Sequence, residues 1–301
     1  MQNLVLLGVC FLAGALLRRM GRMPEETPAV LNGFIIHVSL PALILLYFHD
    51  IELSAEVAVM AAMPWIHFGI AAGFFLLAGK LFGFSRQTIG ALILTGGLGN
   101  TSFVGLPMIE AFYGKEALVY GIAVDQLGSF MVLSTAGLFT AGLYSGEKSS
   151  FAGIARTIAA FPPFLAMVAA VLFNSCDYPE WLEILLSRLG DTLAPVALLS
   201  VGFQFLPGDL RGNFRELALG LSFKLLLAPF IIALLYTGVF GLHGLPVRIT
   251  LFEAAMPPMI TAGIIASARG INPPLASLMV SLGIPLSFIT LFFWWYVLGA
   301  V

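Results

Sequence analysis

The chain has 301 residues, of which 59% are hydrophobic and only 10% charged, and its formal net charge is −2. A soluble globular domain carries about a quarter charged residues, so the composition predicts an all-α polytopic membrane protein. The near-neutral charge, without a basic stripe that contains interleaved aromatics, argues against a nucleic-acid partner.

The N-terminus predicts a first transmembrane span rather than a cleaved signal peptide. Its apolar run, Leu4 to Leu17, is not preceded by basic residues and is followed by Arg18, Arg19 and Arg22. This order of charges is typical of a span that begins on the outer side of the membrane.

Ten apolar segments follow one another along the chain, each close to the roughly 20 residues that a membrane-spanning helix needs. Short connections rich in Gly or Pro separate several of them. We predict spans at approximately Asn3–Leu17, Pro28–Phe48, Ala55–Phe82, Arg86–Phe112, Ala117–Tyr144, Phe151–Phe173, Trp181–Leu206, Phe214–Phe240, Val247–Ala268 and Pro273–Leu298.

The basic residues support this count. If the N-terminus is outside, 11 of the 14 Lys and Arg residues lie towards the inner side and three, Lys115, Arg188 and Arg248, towards the outer side. Inner loops of membrane proteins carry an excess of Lys and Arg. The sequence therefore predicts a multi-pass protein with both termini outside.

Two of the spans are interrupted. The fourth contains glycines and the polar run Asn100-Thr101-Ser102 before Pro107, and the ninth contains Pro257-Pro258. In hydrocarbon an unsatisfied backbone group costs several kcal/mol, so a break persists where protein buries it or where it lines a wet cavity. Interrupted spans in matching places favour a transporter binding site; the alternative is kinked helices packed through small residues.

A repeat divides the chain into halves, 1–148 and 149–301. The segment Ser39 to Leu46 resembles Leu193 to Leu199, and their prolines are 195 − 41 = 154 residues apart. The glycines that follow the broken spans are 270 − 114 = 156 apart. Because each half has five spans, the second half would enter from the opposite face, which predicts inverted repeats.

Three motifs carry a resemblance to a known family: GNTSFVGLPMIEAFYG, SLPALILLYF, and EAAMPPMITAGIIASARG followed by LASLMVSLGIPLSFITLFFW. They resemble the auxin efflux carrier family, which includes plant PIN-type auxin exporters and bacterial permeases assigned to malate or malonate. The resemblance covers nearly the whole chain. The short connection between the halves is typical of bacterial members and implies a bacterial inner-membrane protein.

The resemblance also implies an architecture. Spans 1, 2, 6 and 7 would form a scaffold domain, and spans 3–5 and 8–10 a transport domain in which the broken spans four and nine cross at mid-membrane. It further implies an elevator-type motion and a homodimer. The wider fold resembles the bile acid–sodium symporters.

The breaks contain the candidate substrate-binding residues. A half-helix that starts near Asn100 offers free N–H groups and a positive dipole end, which suits a carboxylate; the alternative is that its polar side chains only satisfy the broken backbone. The resemblance also implies substrate contacts at the crossing. The predicted substrate site comprises Asn100, Thr101, Ser102, Pro107, Gln126, Met256, Pro257 and Pro258; the prolines are expected to hold the breaks open.

Two acids are candidates for ion coupling. Glu253 lies four residues before Pro257, within an apolar span where a carboxylate must be paired, protonated or bound to a cation. The order Glu-Ala-Ala-Met-Pro is similar to the ninth span of the bile acid symporters, where the Glu is a sodium ligand. Glu253 is therefore a possible Na⁺ ligand, a proton carrier or a structural hydrogen-bond acceptor. Asp125, in the fifth span, is the second acid, a candidate for the cation or proton site or for shaping the anion pocket. The alternative is that it pairs with a helix-end donor or with a serine such as Ser129.

Other polar residues within spans are expected to be unremarkable. Lys224 lies nearer the inner end of its span and should extend to the interface, and His67 should be a packing histidine. The sequence contains no GxSxG, HExxH or P-loop spacing, so we predict no enzyme activity.

The sequence thus predicts a secondary transporter of a small organic anion, a carboxylate, with no cofactor beyond a possible coupling Na⁺ or H⁺. The alternative is an uncoupled facilitative carrier or channel-like exporter of auxin-like or other weak acids. The expected partners are the organic-acid substrate, the lipid bilayer and a second copy of the chain.

Overall fold

The computed structural model describes residues 2–49, 54–146, 151–173, 177–205 and 213–299, and every regular element in these ranges is a helix. This confirms the all-α prediction. The helices are α1 Gln2–Met20, α2 Thr27–Tyr47, α3 Ala55–Phe82, α4 Arg86–Gly97, α5 Leu106–Tyr113, α6 Lys115–Ser145, α7 Phe151–Ala159, α8 Pro162–Leu172, α9 Glu180–Phe203, α10 Phe214–Val239, α11 Leu245–Ala254, α12 Ile260–Ala268 and α13 Pro273–Leu298.

Six helices in the described residues are long and apolar enough to cross a membrane: α2, α3, α6, α9, α10 and α13. The other predicted spans contain α1 or pairs of shorter helices, α4 with α5, α7 with α8 and α11 with α12. The chain is thus a multi-pass membrane protein. The count of ten spans, the inverted repeats and the sides of the termini stay predictions.

The sixth predicted span differs from our expectation because it is not continuous. α7 ends at Ala159, Phe161 is extended, and α8 starts at Pro162. Proline disfavours the helical region for the residue before it and is favourable in the first helical turn. A Pro pair preceded by aromatic Phe161 therefore separates two helices within one apolar segment.

Glycine residues on both helices allow α1 to lie directly against α9. A Cβ atom at Gly14 would fall on the backbone of Leu199, and one at Gly202 would fall on the backbone of Phe11. Small residues of this kind allow transmembrane helices to approach backbone to backbone, where dispersion contacts stabilise the pair. The first helix is consequently fixed to the second half of the chain.

The two helices that contain the repeated segments, α2 and α9, also meet. Ser39 Oγ is 2.7 Å from Thr192 Oγ1, and Ser200 Oγ donates to Asn32 Oδ1 over 2.7 Å. Both bonds join α2 to α9. The boundary of the predicted halves, at 148 and 149, lies outside the described residues, as do Lys148 and Arg211 of the charge count.

The remaining helices surround the two breaks. α3 packs on α4 and α6, while α13 packs on α12, α4 and α10. Large aromatic side chains fill the space between them, with Phe74 and Phe75 of α3 against Phe223 of α10 at centroid distances of 4.5 and 4.8 Å. This packing holds the broken helices inside protein.

Candidate functional site

The two broken segments pair with each other. Gly99 and Pro258 form an isolated antiparallel β-bridge. Asn100 N donates to the carbonyl of Pro257 over 2.8 Å, and Met259 N donates to the carbonyl of Leu98 over 3.0 Å. Each break thereby satisfies backbone groups of the other, which is the condition for non-helical backbone inside a membrane protein.

A half-helix starts on the far side of each break. In the first, Asn100 Oδ1 caps the start by accepting from Phe103 N over 3.1 Å, and a π-turn at Thr101–Gly105 leads into α5. In the second, extended Met259 precedes α12. Both starts expose the positive end of a helix dipole at the crossing, which favours a negatively charged ligand.

A cavity of about 230 Å³ lies beside the crossing. Asn100, Ser102 and Asp125, three of the predicted site residues, line it. The sequence analysis missed its other polar residues, Ser134 and Thr261. Its apolar wall consists of Ile36, Leu40, Phe103, Phe130, Leu133, Leu138, Phe161, Met259 and Ile265.

The helix dipoles at the cavity are supplemented by one free donor. The Nδ2 atom of Asn100 is buried and has no hydrogen-bond partner among the described residues, since only Oδ1 is used in capping. Buried polar groups in proteins are nearly always paired. Asn100, which lines the cavity, therefore carries a donor that no described residue uses.

Asp125 organises the polar side of the cavity. Its Oδ1 accepts from Thr101 Oγ1 and from Ser102 Oγ, each over 2.5 Å, and its Oδ2 accepts from Gln126 Nε2 over 2.7 Å. The fifth span thus fixes two hydroxyls of the break. This explains why Thr101 and Gln126, although absent from the cavity lining, belong to the same network.

Glu253 is buried at the end of α11 with 1% exposure. Neither of its carboxylate oxygens has a hydrogen-bond partner in the described part of the chain. The carboxylate faces the backbone of Gly105, where an added Cβ would lie 2.5 Å from Oε2 and 2.7 Å from Oε1. A buried carboxylate without donors is costly, so this group calls for a proton, a cation or water.

Our expectation that Lys224 extends to the membrane interface is wrong. Lys224 is completely buried: its Nζ donates to the carbonyl of Ala254 over 3.4 Å and lies 3.3 Å from His67 Nε2. His67 is also buried, with Nε2 3.2 Å from the carbonyl of Gly96. Position along a span does not reveal which face of the helix a residue occupies, and Lys224 faces the crossing.

A much smaller void of about 10 Å³ is lined by Lys224, His67 and Glu253. Its polar lining consists of Glu253, Lys224, His67, Thr101 and Ser129. A void of this size has room for about one water molecule. No group of three His, Cys, Asp or Glu side chains that could hold a metal occurs within the described residues, so a Na⁺ ion at Glu253 would need hydroxyl and carbonyl ligands.

The remaining predicted site residues do not line the 230 Å³ cavity. Pro107 is buried in the first turn of α5, and Met256 is completely buried at the second break. Pro257 and Pro258 supply the carbonyl and the bridge that join the breaks. Pro257 and Pro258 thus hold the two broken segments together and are not part of the cavity wall.

Comparison with known proteins identifies the family of the chain. The chain matches the family described as Membrane transport protein over residues 1–295. It is 26% identical over 293 residues to an uncharacterized transporter of Methanothermobacter thermautotrophicus, covering 96% of this chain and 95% of that protein. It is 23% identical over 311 residues to an uncharacterized transporter of Methanocaldococcus jannaschii, covering 99% and 98%.

The chain therefore belongs to this family of membrane transport proteins, the auxin efflux carrier family that its motifs resemble. The family is one of membrane transporters, and the descriptions of the two archaeal relatives name no substrate.

Proposed function

We propose that this protein is a secondary transporter of a small organic anion, a carboxylate, which binds at the crossing of the two broken spans. The observation that carries the proposal is the arrangement at the 230 Å³ cavity. Two half-helices start there, and Asn100 offers a buried, unused donor. Half-helix N-termini directed at an anionic group are the usual means by which transporters with broken spans hold such substrates.

The volume and lining of the cavity also limit the size and chemistry of the substrate. At about 230 Å³ it is smaller than the 300–1,000 Å³ typical of pockets for drug-sized ligands. Its wall is mostly apolar, and its polar groups lie together on Asn100, Ser102, Asp125, Ser134 and Thr261. A small acid would place its carboxylate near the helix starts and its carbon skeleton against the stacked rings of Phe130 and Phe161, whose centroids are 4.0 Å apart.

Coupling to Na⁺ or H⁺ forms the second part of the proposal. Glu253 is its candidate residue because the carboxylate is buried without a donor in the described residues, and Asp125 is the second candidate because it lines the cavity. Glu253→Gln is expected to abolish ion-driven accumulation while downhill exchange continues. Accumulation that persists in this variant would mean that Glu253 is structural.

Transport would proceed by an elevator-type movement in the bacterial inner membrane, with the protein as a homodimer and both termini outside. A larger cavity, of about 780 Å³, is lined by Arg18, by Phe203 and by residues of α12 and α13. Helix α12 borders both cavities, through Ile260 and Gly263 on the larger and Thr261 and Ile265 on the smaller. In this proposal the larger cavity is the entrance to the site.

The test is tracer uptake into proteoliposomes that contain the full chain, with a panel of monocarboxylates and dicarboxylates. We expect saturable uptake of one class of acid and a loss of at least about tenfold in apparent affinity for Asn100→Ala, since a hydrogen bond to a charged group contributes about 1.5–3 kcal/mol. Asn272→Ala is the matched control, because Asn272 Oδ1 also caps a helix, by accepting from Leu275 N over 3.3 Å, and Asn272 lies outside the cavity.

Equal affinity of the Asn100→Ala variant and the wild type would show that the substrate binds elsewhere. Uptake that never exceeds the equilibrium level, with any ion gradient, would favour an uncoupled carrier instead. Absence of uptake for the whole panel in both electrical and tracer assays would refute the carboxylate assignment. Cross-linking in native membranes tests the homodimer separately.

A further inference from the structure

The buried charges at the crossing include one that the proposed mechanism does not use, Lys224. It is completely buried in the interior of α10, within the π-turn Phe223–Leu227. A buried ammonium group is unfavourable unless it is paired and hydrogen-bonded. What surrounds Lys224 therefore indicates its role.

Its first partner is the end of a half-helix. Nζ donates to the carbonyl of Ala254, the last residue of α11, over 3.4 Å. The carbonyl end of a helix carries a negative partial charge that favours a cation. In transporters with broken helices, unwound carbonyls and half-helix C-termini are the groups that coordinate coupling cations.

Its second neighbour is the unpaired acid. Lys224 and Glu253 line the same void of about 10 Å³, and no ion pair within 4.0 Å joins them in the described residues. A void of this size holds about one water molecule. A Cβ atom added at Gly99 would lie 3.3 Å from Nζ, so the ammonium group is next to the β-bridge of the crossing.

We propose that the Lys224 ammonium group is the resident cation of the crossing, occupying the place where a coupling Na⁺ ion would otherwise bind. The inference rests on the proposed transport function and narrows it, because it removes sodium as the coupling ion. A Na⁺ ion in the void would face the ammonium group. At a separation of about 4 Å and an effective dielectric constant near 20, this repulsion weakens sodium binding by about a thousandfold.

The test is thermal unfolding of the detergent-solubilised full chain in NaCl and in choline chloride at equal ionic strength. The variants are Lys224→Ala, which removes the charge and opens space, and Glu253→Gln. Lys80→Ala and Glu56→Gln are matched controls, since both side chains are exposed on α3. This measurement needs no substrate, so it decides the role of Lys224 even if the proposed function fails.

We expect the Tm of the wild type to be the same in both salts. In choline chloride Lys224→Ala should unfold more than about 5 °C below the wild type, because Glu253 is left as an uncompensated buried charge. NaCl should raise the Tm of this variant by about 3 °C or more, since an ion that binds only the folded state stabilises it. The double variant Lys224→Ala, Glu253→Gln should lose this sodium response.

A sodium-dependent rise in the Tm of the wild type that Glu253→Gln removes would overturn the proposal. So would a Lys224→Ala variant that equals the wild type in both salts, or one that is destabilised without any sodium response. If Lys224→Ala does not fold, the wild type and Glu253→Gln decide the question: equal Tm values of the wild type in both salts support the resident cation. Uptake of the transported acid by the wild type should then be equal with and without Na⁺.

Discussion

The close contact between Gly105 and Glu253 allows one prediction to be worked out in detail. Gly105 ends the π-turn after the first break, and its backbone faces the carboxylate of Glu253. In a Gly105→Ala variant the new methyl group would lie 2.5 Å from Oε2, 2.7 Å from Oε1 and 2.9 Å from Cδ of Glu253. These distances are far below van der Waals contact, so either the acid or the half-helix must move.

The expected change in the free energy of unfolding is the difference between two opposing effects. Replacing Gly by Ala within a helix gains about 0.8–1 kcal/mol of propensity, whereas forcing an extra methyl group into a packed interior costs about 1–3 kcal/mol. The net loss is about 1 kcal/mol, or a fall in Tm of about 2–4 °C for a chain of this size class. Gly73→Ala in α3 is the matched control, because a Cβ there meets nothing within 4 Å, and it should raise Tm.

Two double variants distinguish the effect of the shape of the Glu253 side chain from the effect of its charge. Gly105→Ala combined with Glu253→Gln keeps the shape of the side chain and should retain the penalty, whereas Gly105→Ala combined with Glu253→Ala removes the overlapping atoms and should lose it. The coupling energy in the second cycle is expected to be about 1–3 kcal/mol. The assay is thermal unfolding in detergent, with each single variant measured beside its double.

Additive effects of Gly105→Ala and Glu253→Ala, with a coupling energy near zero, would refute this reasoning. They would mean that the Glu253 carboxylate does not rest against the π-turn, and the proposed link between the acid and the first break would be lost.

Two further predictions follow from the same packing. Ser102→Ala removes one of the two hydroxyl donors to Asp125 Oδ1, so the KM for the transported acid should rise about tenfold with little change in maximal rate. Ser54→Ala is the control, because Ser54 is exposed. An unchanged KM for Ser102→Ala would contradict the role of this network. Gly202→Ala places a methyl group on the Phe11 carbonyl where α1 meets α9, so the Tm should fall by about 5 °C. Gly8→Ala is the control and should have no such effect, because a Cβ atom at Gly8 meets nothing within 4 Å. Equal Tm values for the two variants would contradict the backbone contact.

Several features of the site could be predicted from local sequence. The breaks at Asn100 and at Pro257-Pro258 were predictable because glycine, proline and short polar side chains oppose a continuous helix wherever they occur. The buried, specific surroundings of Asp125 and Glu253 were predictable because an acid within an apolar span needs such an environment; their roles in transport stay predictions. Asn100, Ser102 and Asp125 indeed line one cavity.

Other features depend on neighbours that are distant in the chain. Thr261 and Phe161 line the cavity because α12 and the start of α8 pack beside the first break, and no local pattern marks either residue. The break between α7 and α8 was signalled by Pro162-Pro163, but the placement of Phe161 on the cavity wall was not.

The sequence by itself determined the class of the protein, its helical composition and the two places where its helices break, because apolar length and helix propensity act over a few consecutive residues. Only the tertiary structure decided what those breaks contact. It paired Gly99 with Pro258, rotated Lys224 inward to the end of α11 and set Glu253 against Gly105. The physical reason is that the face on which a side chain lies, and the charge it meets there, depend on how separate helices pack.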